Sequence, residues 1–196
     1  MIEIVPYKPS WPGDFAAVGA GIRAALGDKA LRIDHIGSTS VPGLDSKDVI
    51  DVQLTLADFE GFEGLVEPVE KIGYVYREVV RADHRPRDHS LAGAFEYDPD
   101  WEKRYFRSAP ERRRVHLHVR ATGRANQRYA LLFRDYLRNH ADAAAHYAQV
   151  KYCLARYHGD DATAYVTLKD PVCDLIIAAA EDWALATHWQ PGPTDV

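Results

Sequence analysis

At 196 residues the chain can bury a substantial core as one domain, and its composition, 46% hydrophobic with 27% charged residues, excludes a disordered or low-complexity protein. A formal charge of −5 excludes the basic excess with which non-specific binders of duplex DNA displace counterions. No apolar stretch reaches the roughly 18 residues of a membrane span. No basic start followed by an apolar run opens the chain, so a cytoplasmic protein with no membrane partner is expected.

The opening IEIVPYKPSW alternates like a strand until Pro6 and Pro9 stop it. Ser10 is then a candidate cap for a helix with Trp11 and Pro12 in its first turn, running to about Gly27. LRIDHIG has the pattern of a short buried strand, and STSVPGLDSKD that of a loop punctuated by Pro42 and Gly43. In the next strand, VIDVQLTL, alternation puts Val49, Asp51, Gln53 and Thr55 on a polar face and Ile50, Val52, Leu54 and Leu56 on an apolar one.

A helix through FEGFEGLVEPVEKIG and a strand YVYREVV follow, then a polar, turn-rich stretch from Arg81 to Asp100. WEKRYFRS and RRRVHLHVRA alternate as the arms of a hairpin joined near Ala109 and Pro110. From Asn126 onward the period becomes helical, with Pro171 expected to kink or interrupt the last helix. The pattern predicts an α+β fold, a mixed β-sheet with a helical C-terminal half: one domain over 1–190, with its sheet in 1–122 and its helices in 123–190. A frayed tail over 191–196 completes it. Cys153 and Cys173 have no paired or zinc-type spacing and are expected to be reduced core residues.

The segment HIGSTSVPGLDSKDVIDVQL carries the most chemistry. Glycine lets a backbone approach a phosphate closely and a following serine adds a hydroxyl, so Gly37 and Ser38 are candidates to hold phosphate. Asp51, on a polar strand face, is a candidate catalytic ligand for magnesium. An isolated Gly-Ser is more often a plain turn, and only its surroundings favour the functional reading.

His116 and His118, two apart on one strand, point the same way and suit a divalent transition metal or a phosphate. A further ligand would come from His35, Asp51 or His89. Arg104 and Arg107, ahead of the run Arg112 to Arg114, make a basic surface on which one or two guanidinium groups could hold an anion, while the triple run suits a solvated turn. Tyr165 and Lys169 lie one helical turn apart and could converge with Lys151 over the sheet, although plain solubility is the favoured role for Lys151.

HIGSTSVPGL, KDVIDVQL, KRYFRS, VHLHV and LLFRDYLRNH, in this order and spacing over most of the chain, resemble the GrpB family. The resemblance implies the minimal nucleotidyltransferase fold, with glycine-serine after the first strand and an acid-x-acid pair on the second. Gly37, Ser38 and Asp51 match; Gln53 stands where the second acid belongs, and the strand expected to carry the third acid offers His116 and His118. The resemblance also implies that helical residues such as Tyr165 and Lys169 face phosphates.

Three functions follow. One is binding of a nucleotide or other phosphorylated small molecule, with magnesium-dependent nucleotidyl transfer. Another is a non-catalytic accessory or folding module, related to the domain fused to dephospho-CoA kinase, that acts in trans because no GxxxxGK loop is present. The third is a metal-dependent enzyme built on His116 and His118. Apolar helix faces leave a homodimer open.

Overall fold

The fold was analysed in a computed structural model, which describes residues 1–86 and 97–196. Helix α1, Trp11–Leu26, starts where Pro12 occupies a first-turn position that needs no backbone N–H, and it ends at Gly27 with φ of 54°. Ser10 precedes it without a side-chain cap bond. Trp11, Phe15, Ile22 and Leu26 recur at helical spacing and are buried against the sheet.

The strands are β1 (Arg32–Ile36), β2 (Ile50–Leu56), β3 (Tyr74–Tyr76), β4 (Arg104–Ser108) and β5 (Val115–Ala121), in the spatial order β1-β2-β5-β4-β3. β2 and β5 are parallel, with Asp51 opposite His116 and Gln53 opposite His118; the other pairs are antiparallel. A parallel pair requires a crossover, here the passage through helix α2 (Glu63–Lys71), β3 and β4. Strand alternation then sorts the sheet into two faces. Ile33, Val52, Leu54, Leu117 and Val119 belong to the main apolar core with α1 and α2. The other face receives helix α3 (Ala125–Asn139), against which α4 (Ala141–His158) and α5 (Ala162–Thr187) pack.

Helix α5 continues through Pro171 without interruption, which leaves the kink as the part of that expectation still open. Two expectations are corrected. Cys153 is exposed and only Cys173 is buried. The segment 191–196 is not frayed: the Thr194 hydroxyl bridges both Ile33 backbone groups, the Asp195 carboxylate accepts from the His35 N–H at 2.8 Å and from Arg134 at 2.8 Å, and the Val196 N–H donates to the Ile33 carbonyl. Side-chain bonds from that segment thus cover the otherwise unpaired edge of β1, which a composition-based reading of proline and glycine does not foresee.

Candidate functional site

The turn after β1 brings Gly37 to φ 68° and ψ −174°, a conformation essentially confined to glycine. A Cβ there would lie 2.5 Å from the Asp51 carboxylate, so glycine is required by backbone conformation and by space alike. Ser38 opens a short 3-10 turn beside the start of β2. The parallel register of β2 and β5 sets Asp51 against the two histidines: its Oδ1 lies 3.3 Å from His116 Nδ1 and 3.6 Å from His118 Nε2. Tyr105, opposite His118 on β4, stands within ring-contact distance of both imidazoles.

Burial alone would raise the Asp51 carboxyl, but its contacts with His116 and His118 outweigh it and hold the group well below the usual carboxylate range. Burial pushes the His118 imidazole down to about 4, with Lys103 and Arg120 adding to the effect against the pull of Asp51. His118 is therefore neutral at physiological pH.

Lysines from three elements face the same opening. Lys151 of α4 is buried and donates to the Ser38 hydroxyl at 3.0 Å and to the Asp45 carbonyl at 2.5 Å. Burial, together with the nearby charges of Lys169 and Lys47, pushes its ammonium down to about 7 despite Asp45. Half-buried Lys47 is likewise lowered by burial, while Asp51 works the other way and Lys169, Arg114 and Arg107 add to the lowering. Its ammonium lies 4.9 Å from the centre of the Tyr165 ring. Lys169 reaches Asp170 at 3.3 Å and Cys173 at 3.5 Å. Tyr165 is fully buried and its hydroxyl has no partner among the described residues.

The expected site residues thus divide. Gly37, Ser38, Asp51, His116 and His118 come together, Tyr165 and Lys169 join them from α5, and Arg107 lies at the rim, on the His116 face, with its Nε donating to the Tyr105 hydroxyl at 3.0 Å. Arg104 is on the opposite face, stacked 4.5 Å over Phe59 and paired with Glu102, because alternation separates it from Arg107. Gln53 is withdrawn too: fully buried, it accepts from Arg120 at 2.6 Å and donates to the Gln127 carbonyl at 3.2 Å. His35 lies across the sheet from Asp51, stacked 4.7 Å from Phe15, so it is no partner for the histidine pair. His89 lies outside the described residues. Arg113 of the triple run is tied to Asp14 and Asp48.

One residue, Lys47, was missed, and another, Lys151, was named but given a solubility role. Lys151 shares a buried helical stripe with Ala144 and Tyr147, and a lysine on such a stripe signals a buried cation. Lys47 sits in the same loop as Ser38, close before the strand that carries Asp51. An open groove of about 490 Å³ lies elsewhere, between the start of α3 and the end of α5, and its Arg124 and Arg128 are already paired with Asp100 and Glu181.

Magnesium prefers octahedral oxygen ligands at short distance. Asp51 offers the one oxygen among the three donors brought together here, and the glutamine in the second acid's position is tied up in its own hydrogen bonds with Arg120 and Gln127. The donor set does not fit the paired magnesium ions of nucleotidyl transfer.

The mixed sheet, the glycine-serine turn after β1 and the acid on β2 define a nucleotidyltransferase-like fold. The same fold is seen in a cytoplasmic RNA terminal U-transferase, at TM-score 0.50 and 15% identity over 78% of this chain and 43% of that one. The GrpB protein family matches residues 1–179, and the chain belongs to that family. Its structure is similar to the conserved protein GrpB from Enterococcus faecalis, with TM-score 0.71 and 28% identity over 96% of this chain and 100% of that one. In sequence it is 36% identical over 197 residues to a dephospho-CoA kinase of Mycolicibacterium paratuberculosis, covering 97% of this chain and 48% of the kinase. It is 38% identical over 183 residues to a UPF0157 protein of Pseudomonas aeruginosa, covering 91% and 67% of the two chains. The chain therefore spans about half the length of the dephospho-CoA kinases it matches. Among the described residues no helix is long and apolar enough to cross a membrane.

Proposed function

We propose that the cleft binds a nucleotide or another phosphorylated small molecule, with Ser38, Lys47, Lys151 and Lys169 on its phosphate groups. The observation that carries this reading is the Lys151–Ser38 contact: a buried ammonium that donates to a serine hydroxyl at the mouth of a glycine turn, with two more lysines near. Burying like charges beside one another costs stability, and an anion that neutralises them recovers it. The unpartnered Tyr165 hydroxyl is a further donor suited to a phosphate oxygen.

Binding without transfer is the reading the acids support, since Gln53 and His118 stand where carboxylates would hold the second metal. The match to half of each dephospho-CoA kinase makes nucleotides of the CoA route part of the ligand panel.

Thermal-shift and calorimetric titration with nucleoside triphosphates, nucleoside monophosphates and dephospho-CoA tests the proposal. Lys151→Met should cost roughly ten- to a hundredfold in affinity, the range of one hydrogen bond to a charged group, while the unliganded melting temperature holds or rises. Equal affinity in that variant, or no shift with any phosphorylated compound, would remove the cradle.

A further inference from the structure

We infer that Asp51, His116 and His118 form a site for a single borderline transition-metal ion, of the manganese, iron, cobalt or zinc class, that selects against magnesium.

Three observations carry it. The donor set is one carboxylate and two imidazoles, all on adjacent strands of a rigid sheet, with ligating atoms within 4.8 Å of one another. Imidazole suits transition ions, whereas magnesium seeks oxygen and retains its waters. Two of the three spacings also match: a tetrahedral ion with bonds of about 2.0–2.1 Å sets its ligands roughly 3.3 Å apart, close to the 3.3 and 3.6 Å seen from Asp51 Oδ1 to the two imidazole nitrogens. The third observation is the state of His118. Its Nδ1 is buried without a partner among the described residues, and its Nε2 meets only the Asp51 carboxylate, at 3.6 Å, so the ring lacks a close polar partner. A metal at Nε2 gives it one. Three protein ligands leave further positions at which an anionic ligand or water would complete the coordination.

The experiment uses the full chain, stripped with chelator and free of nucleotide, so that it stands apart from the phosphate cradle. Cobalt(II) is titrated and followed by its visible d–d absorption, with zinc, manganese and magnesium as competitors. One cobalt ion per chain is expected, displaced by zinc and not by magnesium in large excess. His116→Gln and His118→Gln should each weaken binding by more than the roughly 10–100-fold that loss of a ligand-orienting partner costs. Circular dichroism of the unliganded variants separates lost binding from lost folding. Changing His84, which meets Asp170 and Asp174 on the surface, should leave cobalt binding intact. Displacement by magnesium at concentrations comparable to cobalt, folded histidine variants that bind as wild type does, or loss of the site in His84→Ala would each overturn the assignment.

Discussion

One face of the sheet contains two neighbourhoods built from the same strands. Toward the ends of β2 and β5, Gln53, Arg120, Asp83, Asn126 and Gln127 form a sealed network: Asp83 accepts from Lys103 at 2.7 Å, from Arg120 at 2.8 Å and from Asn126 at 3.1 Å, and Arg120 also reaches Gln53. At their beginnings, Asp51, His116 and His118 are only partly covered and lie near Lys47 and Lys151, and His118 Nδ1 and the Tyr165 hydroxyl have no partner among the described residues. Burial raises the carboxyl of Asp83, yet the charges of Arg120 and Lys103 hold it well below its ordinary range. In the open neighbourhood burial, with the like charges of Lys169 and Lys47 behind it, instead pushes Lys151 down. Where α3 covers the polar stripe, its charged groups pair with one another and support the fold, leaving the neutral Asn126 Oδ1 and Thr55 Oγ1 without partners among the described residues; where coverage stops, the same alternation leaves charged and ligating groups that suit a ligand.

The largest expected effect tests the sealed half. Arg120→Met removes a buried partner of Asp83 and Gln53, and should cost about 3 kcal/mol in chemical denaturation. A cost near zero would show that the network is not a structural brace. Gly37→Ala, at the boundary, should cost about 1–3 kcal/mol from the backbone alone. The new Cβ also displaces Asp51, so cobalt and nucleotide binding should both fall in calorimetry.

The smallest effects separate two arginines three residues apart. Arg104→Ala should lower stability by about 1 kcal/mol through its lost stack on Phe59 and leave nucleotide affinity alone. Arg107→Ala should do the reverse, weakening binding less than tenfold as expected of an exposed rim charge. The opposite outcome would exchange the faces assigned to them.

The sequence made the strand alternation and the glycine-serine turn legible because period and turn chemistry are local. Asp51, His116 and His118 were visible on polar stripes for the same reason. Their meeting was not, since it depends on a parallel register formed across a long crossover. Gln53 shows the limit: alternation gave its face correctly, but nothing local tells that α3 will cover it and that Arg120 and Gln127 will occupy its amide. Arg104 was misplaced when proximity to Arg107 was weighed above strand parity. Lys151 was discounted because lysines usually solvate helices, although its stripe mates Ala144 and Tyr147 pointed inward. The segment 191–196 misled because proline and glycine content says nothing of side chains that bond a strand edge.

The lowered pKa of Lys151 gives the most direct test of the anion cradle. Its folded value of about 7 lies below the ordinary 10.5, so the unfolded chain holds the proton more tightly. The burden on the unliganded protein is therefore full at and below neutral pH and is relieved as pH rises toward 10.5. A phosphate anion favours the charged amine, so at about pH 8 its binding should draw a proton from the buffer. Calorimetric titration with inorganic triphosphate in two buffers of different ionisation enthalpy measures that proton directly. The account predicts binding with proton uptake that is lost in Lys151→Met; binding without uptake, or uptake unchanged in the variant, would contradict it.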